Sequence, residues 1–289
     1  MVTGTSGCLK QLALGSVANA LSASGNGFGR DDDPELIGDS LPVIIKVMEQ
    51  LHDSLPKHQE LAVALTRATT SYGVAYLAEE ADRVEEKDVQ AAHKIRLRAR
   101  HMLLRGRKYG FDALDVSVSG LGAALIENDR DKRAALLAKT KKSDVAALYW
   151  TAAAWGAAIA NGKEDLELVG QLPQVNELAA RALKLDESFE QGAIHELYIS
   201  LAASQNDRKG AKDHFDRAVQ LSQNKKLSPL VTYAEAVCVD TQDKKEFQRL
   251  LNQVLAFDVN SDPDLRLVNI LSQRRARWLM SRIADLFAE

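Results

Sequence analysis

Histidine and cysteine are the residues of this 289-residue chain that could bind a metal or act in catalysis, and their spacing supports neither role. No His-x-x-x-His or Cys-x-x-Cys pair is present, so no local metal site is predicted. His195 and Glu196 are adjacent and would lie on different sides of a helix. Nucleophile-elbow, Walker and dinucleotide-binding motifs are also absent from the sequence. We therefore expect a protein without catalytic residues, metal or cofactor, and a structural role for most of the histidines.

A basic run from Lys94 to Lys108 contains five arginines and has two interpretations. It could bind anions or nucleic acid, with Arg98 and Arg105 sharing one helical stripe. Alternatively, the arginines could pair with acidic side chains of the preceding helix, namely Glu79, Glu80, Asp82, Glu85 and Glu86. The net charge of −3 provides no positive field that would attract nucleic acid. We favour intramolecular pairing and expect no nucleic-acid partner.

The uncharged segment 145–162 contains Tyr149, Trp150 and Trp155. Its length approaches that of a membrane-spanning helix, but it consists mostly of alanine and includes Thr151 and Asn161. A helix buried among other helices explains this composition better. The aromatic side chains could pack in the core or line an apolar pocket, and both interpretations stay open.

The elements that must position these residues are predicted to be helices, because the chain is rich in alanine and leucine and has six prolines. Residues 1–30 contain no acid; we predict a tether with a short helix over 9–23 and a flexible linker over 24–29. Asp33-Pro34-Glu35 is typical of a helix start. Helices follow from there to about 51, over 58–83 and over 86–109, and Pro42 predicts a kink or an early break in the first.

An internal repeat of 36 residues marks the C-terminal half. Each copy presents one helical face, because its apolar residues are spaced by four and then three. The three faces are Val175/Ala179/Ala182, Ala211/Phe215/Ala218 and Phe247/Leu251/Val254. Small and large residues alternate in this way in the second helix of a tetratricopeptide hairpin. We therefore predict one all-α domain over 31–289, with N-terminal helices over 31–140 and a repeat-bearing half over 143–289. Its stacked antiparallel hairpins would form a superhelix around a central cavity or pore.

Several stretches together resemble the TatT family, the tetratricopeptide-repeat T component associated with TRAP transporters. They run through most of the chain: 31–36 (DDDPEL) with Leu41-Pro42 and Lys46, 98–110 (RARHMLLRGRKYG), 149–156 (YWTAAAWG), 192–196 (GAIHE), 214–218 (HFDRA), Gln242-Asp243 with Glu246-Phe247, and Asn269 with 273–279 (QRRARWL).

This resemblance implies a periplasmic lipoprotein that forms homotrimers and has a cavity or pore in each protomer. The implied partner is the solute-binding protein of a TRAP-type transporter, and the implied task is handling a small ligand that is hydrophobic or an organic acid. Ser6-Gly7-Cys8 is similar to the end of a lipobox, so Cys8 is the candidate for lipidation and the only predicted tie to a membrane. The candidates for lining the cavity are Tyr149, Trp150, Trp155, His195 and Asn269.

Three functions are compatible with the sequence. The preferred one is a non-enzymatic periplasmic scaffold that serves a TRAP-type transporter. The second is a tetratricopeptide adaptor that grips a protein unrelated to transport. The third is an enzyme on a helical scaffold, for which no arrangement of nucleophile and base is present.

Overall fold

The computed structural model describes residues 14–22, 25–127 and 129–288, and every regular element in these ranges is helical. The all-α prediction is therefore confirmed for this part of the chain. The helices are α1 (14–22), α2 (Gly25–Gly29), α3 (Pro34–Ser54), α4 (Gln59–Tyr72), α5 (Glu79–Glu85), α6 (Val89–Ser117), α7 (Leu121–Ile126), α8 (Arg130–Leu137), α9 (Val145–Ala160), α10 (Leu166–Val169), α11 (Leu172–Leu185), α12 (Ala193–Ser204), α13 (Arg208–Leu221), α14 (Ser228–Tyr233), α15 (Lys244–Ala256), α16 (Arg266–Ser281) and α17 (Ile283–Leu286).

The chain divides into two compact units, and each is described by itself. The first unit contains Glu35–Leu185 together with the described residues before Asn26. The second contains Asn26–Pro34 and Asp186–Glu289. The sequence-based division into a tether over 1–30 and one domain over 31–289 stays a prediction.

Helix α6 is the centre of the first unit, where it packs against α4, α5, α7 and α9. Two glycines on α6 allow this close packing. A Cβ atom on Gly106 would lie 2.7 Å from Thr69 Oγ1, and a Cβ atom on Gly110 would overlap Thr151 Oγ1. The Thr69 and Thr151 hydroxyls donate to carbonyls of their own helices, so they are buried without a polar cost. Small residues on three helices therefore set how near the helix axes approach.

Helix α3 does not break at Pro42, contrary to one of the sequence-based alternatives. Ile37, Leu41, Ile45 and Met48 are all buried, and they lie on both sides of the proline along one face of the helix. A proline inside a helix costs about 3 kcal/mol. Burial of four apolar side chains is worth more than that, so packing holds the helix together.

Two helices of the structure contain a π turn, in which the backbone hydrogen bonds span five residues. The first, Gly73–Ala78, joins α4 to α5, and the second, Ala234–Cys238, follows α14. In the first, a Cβ atom on Gly73 would lie only 2.9 Å from Leu103 Cγ, so the Leu103 side chain packs directly against the glycine backbone. The predicted helix over 58–83 is therefore present, but with an interruption that its periodicity did not indicate.

The predicted linker over 24–29 is wrong for its described residues, because Gly25–Gly29 form a helical turn. Residues 26–29 of this turn belong to the second unit. A Cβ atom on Gly29 would lie 3.1 Å from the Asp264 carbonyl oxygen, and the Arg30 guanidinium contacts the Asp264 carboxylate at 2.6 Å. The absence of a side chain on Gly29 therefore lets its backbone pack close to that of Asp264.

The 36-residue repeat is visible in the positions of α11, α13 and α15, which begin at 172, 208 and 244. All nine residues of the three predicted faces are buried. Asp207 and Asp243, also 36 residues apart, cap α13 and α15, and each follows a residue of positive φ, Asn206 or Gln242. The repeat therefore extends to turn geometry, while the stacking of hairpins into a superhelix stays a prediction.

Candidate functional site

Tyr149, Trp150 and Trp155 lie on α9 in the first unit, and they do not form one platform. The Trp155 ring is fully buried; its indole N–H donates to Gln171 Oε1 at 3.0 Å and its edge meets Phe111. Tyr149 and Trp150 are half-buried and contact each other edge to face, with ring centroids 5.0 Å apart. The structure thus gives Trp155 a place in the core, and ligand contact by these residues stays a prediction.

His195, on α12 in the second unit, is buried beside His214 of α13. The two Nδ1 atoms are 2.8 Å apart, so one imidazole donates a hydrogen bond and the other accepts it. Tyr198 stacks on His214 with a centroid distance of 4.6 Å. His195 Nε2 is buried without a hydrogen-bond partner among the described residues. Burial, followed by the charge of His214, lowers the pKa of His195 to about 4, and burial also lowers the pKa of His214.

We expect this pair to make the second unit sensitive to acid. The folded-state pKa of His195 lies below the unfolded value of about 6.5, so the unfolded chain binds more protons between about pH 6.5 and 4. The stability that neutral His195 contributes is present above about pH 6.5 and is lost as the pH falls towards 4. Glu187, which favours the charged form of His195, and Arg217, which opposes it, are the other charged groups that act on it; Asp213 and Asp207 act on His214.

The measurement is the free energy of unfolding in urea between pH 7 and 4. The loss over this range should be smaller in His195→Gln than in the wild type, by about 3 kcal/mol at most. His93→Gln changes an exposed histidine and is the control, for which we expect the wild-type slope. Equal slopes for His195→Gln and His93→Gln would contradict the prediction.

Asn269 of α16 is fully buried in the second unit and binds backbone on both sides of its amide. Its Oδ1 accepts the Leu227 N–H at 3.0 Å, and its Nδ2 donates to the Lys225 carbonyl at 2.9 Å. The side chain therefore ties the segment before α14 to α16. A contact between Asn269 and a ligand stays a prediction.

Replacing Asn269 by alanine should leave two backbone groups without partners. Each buried orphan costs about 1–3 kcal/mol, so we expect Asn269→Ala to lower the free energy of unfolding by about 2–4 kcal/mol. Asn252→Ala removes an exposed asparagine of α15 and should change it by less than about 0.5 kcal/mol. Urea titrations followed by circular dichroism measure both, and similar values for the two variants would rule out the tie.

Of the two cysteines in the sequence, the structure describes Cys238. Cys238 is a buried free thiol, and burial raises its pKa to about 12. It is therefore inert. Cys8 lies outside the described residues. Among the residues that the structure does describe, no group of three histidine, cysteine or acidic side chains could hold a metal ion.

The arginines of α6 separate into paired and unpaired side chains. Arg96 binds Asp82 at 3.0 Å and Glu85 at 2.9 Å, which confirms the predicted pairing with the preceding helix for this residue. Arg100 instead binds Glu164 at 2.8 Å, a residue that follows α9. Intramolecular pairing thus holds for both, although the second acid comes from a distant part of the sequence.

Arg107 has no carboxylate within 4.0 Å among the described residues. Its guanidinium lies 4.9 Å from the Trp155 ring centroid and 5.6 Å from that of Phe111, and it donates to Gln171 Oε1 at 2.9 Å. Burial lowers the pKa of Arg107, although arginine stays charged at neutral pH. The aromatic faces of Trp155 and Phe111 therefore act as the partners of the Arg107 charge, in place of a carboxylate.

Beside α6, the first unit contains a groove of about 300 Å³, which we call the basic groove. It is bounded by α3, the end of α4 and α6, and its lining residues are Pro42, Ile45, Lys46, Tyr72, Arg98, His101, Met102 and Arg105. Apolar atoms thus face three permanent cations across a small volume. This size is at the lower end of the range for small-molecule sites.

Glu49, beneath the groove, holds two of its cations. Lys46 Nζ donates to Glu49 Oε2 at 2.6 Å, whereas Arg105 and the Tyr109 hydroxyl, at 2.7 Å, both donate to Glu49 Oε1. Desolvation acts to raise the pKa of Glu49, but the hydrogen bonds from Lys46 and Tyr109 and the charge of Arg105 lower it overall. Desolvation and the Glu49 carboxylate raise the pKa of Tyr109 to about 12. Glu49 is therefore ionised and fixes where Lys46 and Arg105 lie.

Arg98 and Lys46 are the exposed arginine and lysine of the groove, but no carboxylate of the described chain lies within 4.0 Å of Arg98. One of its Nη atoms donates to the Tyr72 hydroxyl at 3.3 Å, and the guanidinium lies 6.0 Å from the Tyr72 ring centroid. The remaining N–H groups are available to an acceptor from solution. The basic groove can thus bind an anion. Sequence reasoning missed it, although the shared stripe of Arg98 and Arg105 was a signal for it.

Comparison with known proteins identifies relatives of the whole chain. The family model described as TRAP transporter T-component matches residues 30–287. An uncharacterised protein of Treponema pallidum (strain Nichols) is 28% identical over an alignment that covers 98% of this chain and 94% of the relative. Of the helices that the structure describes, none is both long and apolar enough to cross a membrane.

Proposed function

Because the chain belongs to the TRAP transporter T-component family, we propose that it is a non-enzymatic periplasmic scaffold that binds the solute-binding protein of a TRAP-type transporter. In this role it assists the uptake of a small ligand, either hydrophobic or an organic acid. The observation that carries the proposal is the family match, because it extends over residues 30–287 and so over both units. A lipid anchor at Cys8 and a homotrimeric assembly are further parts of the proposal.

The basic groove supports the ligand-handling part of this function. It combines apolar atoms with uncompensated positive charge, which suits a small organic anion better than a protein surface. The candidates from the sequence, Tyr149, Trp150, Trp155, His195 and Asn269, are retained as a second proposed set of ligand contacts. Of these, Tyr149 and Trp150 are half-buried and so reach the surface of their own unit.

The proposal is tested by capture of partners from periplasmic extract with the tagged chain, followed by mass spectrometry. We expect a TRAP-type solute-binding protein as the main partner, and saturable binding when that protein is purified and titrated. Unrelated helical bait of the same size is the control for nonspecific capture. Recovery of other proteins alone would favour the second function, an adaptor unrelated to transport.

A further inference from the structure

We propose that the basic groove binds a small organic carboxylate, with Arg98 receiving the carboxylate group and Pro42 and Met102 contacting its apolar part. This inference rests on the proposed ligand handling, and it assigns that task to a site and a ligand class. Three features of the groove carry it: its charge, the state of Arg98 and its apolar lining.

The charge of the groove is positive after every internal ion pair is counted. Lys46, Arg98 and Arg105 contribute three positive charges, and Glu49 contributes one negative charge, which leaves two. Both oxygens of Glu49 already accept hydrogen bonds from Lys46, Arg105 and Tyr109. Arg98 is not among these donors. A negatively charged ligand would neutralise the positive charge that Glu49 leaves unpaired at Arg98.

The orientation of the Arg98 side chain is set by contacts within the chain. The Tyr72 side chain, only 8% exposed, positions the guanidinium through its hydroxyl and its ring. A planar guanidinium with free N–H groups binds a carboxylate through two parallel hydrogen bonds. On the same helix, Arg96 is ion-paired with Asp82 and Glu85, whereas Arg98 has no carboxylate partner among the described residues.

The residues that line the groove indicate the chemistry of the rest of the ligand. Pro42 and Met102, both half-buried, present apolar atoms to the groove, whereas Ile45 and Tyr72 are already almost fully buried. An inorganic anion would leave the exposed atoms of Pro42 and Met102 in water, whereas a short hydrocarbon chain would cover them. The volume of about 300 Å³ suits a small ligand. A short-chain carboxylate satisfies charge and lining together.

The test is a calorimetric titration of the full chain with hexanoate at low salt. We expect saturable binding that weakens as salt is added. Arg98→Gln should weaken binding by about tenfold or more, because it removes the charge and the paired donors. Arg96→Gln makes the same chemical change two residues away, at an arginine that does not line the groove, and should leave the affinity within about twofold. Arg98→Lys, which keeps the charge but not the planar fork, should fall between them.

A further probe tests the role of the ligand's charge. Hexan-1-ol lacks the charge and should not bind measurably. The inference is overturned if hexanoate does not bind, if Arg98→Gln and Arg96→Gln lose affinity equally, or if hexan-1-ol binds as well as hexanoate. Circular dichroism of each variant verifies the fold. Because ligand binding is measured on the chain alone, failure here leaves the proposed binding of a solute-binding protein intact.

Discussion

Gly110→Ala should destabilise the first unit more than any other single methyl group we could add to α6. The new Cβ atom would overlap Thr151 Oγ1 and lie 2.9 Å from Thr151 Cβ. Gly110 and Thr151 are both buried, where α6 packs against α9. Overpacking of this kind costs about 1–3 kcal/mol and occasionally more. We expect a loss of about 3 kcal/mol in the free energy of unfolding, although alanine is the better helix former by about 1 kcal/mol.

The matched control for this variant is Gly156→Ala, which adds the same atom to α9. There the Cβ atom would meet Val175 Cγ1 at 3.5 Å, an ordinary van der Waals contact. We expect no loss and a gain of up to about 1 kcal/mol from helix propensity. Thr151→Ala should partly rescue Gly110→Ala, because it removes the overlapping hydroxyl. Equal urea-unfolding midpoints for the two glycine variants would show that the close approach of α6 and α9 does not limit packing.

Glu177→Ala should be the most damaging removal of a surface-accessible acid. Arg133 of α8 has a side chain only 6% exposed, and its Nε and Nη2 atoms donate to the two oxygens of Glu177 at 2.9 and 3.0 Å. The hydrogen bond to Glu177 is also the main reason why the pKa of Arg133 is raised. Without the acid, the buried Arg133 guanidinium keeps the Glu127 carbonyl, at 3.0 Å, as its one hydrogen-bond partner among the described residues. We expect a loss of about 3 kcal/mol.

Asp216→Ala provides the comparison, because it removes the acid of a pair with both side chains about half exposed. Lys212 Nζ binds both oxygens of Asp216 at 2.6 Å, but the side chains are 49% and 57% exposed. Exposed pairs contribute about 0–1 kcal/mol, so this loss should be small. The double variant Arg133→Leu with Glu177→Ala should regain most of the stability lost by Glu177→Ala alone. Thermal and urea unfolding measure all three, and equal losses for Glu177→Ala and Asp216→Ala would contradict the argument.

The sequence predicted well those features that depend on residues near one another in the chain. The buried faces of α11, α13 and α15 follow from spacings of three and four, and the 36-residue offset predicted which positions correspond. The all-α class and the family were likewise predicted, because composition and the order of motifs suffice for them. The end of α6 was placed eight residues early, at Tyr109 in place of Ser117, since nothing local marks it.

The basic groove could not be predicted, because its charge balance depends on contacts between distant parts of the chain. Arg105 binds Glu49, 56 residues away, and Arg100 binds Glu164, 64 residues away. The sequence pointed to the nearer acids, which was right for Arg96 and wrong for these two. Only the folded structure shows that Arg98 and Arg107 lack an acidic partner among the described residues, and that Arg98 is the one of the two that lines the groove. The same holds for Asn269, whose backbone partners lie more than 40 residues earlier.

The π turn at Gly73–Ala78 has a consequence for how the length of this chain can vary. A π turn contains one residue more than the α-helical path between the same ends. Removing one residue there would restore regular α-helix and keep the buried faces of α4 and α5 in phase. Removing one residue inside α4 or α6 would rotate everything beyond it by about 100° and expose the core. Within the continuous helical segment of α4 and α5, Gly73–Ala78 is therefore a place where a single-residue deletion is compatible with an unchanged interior.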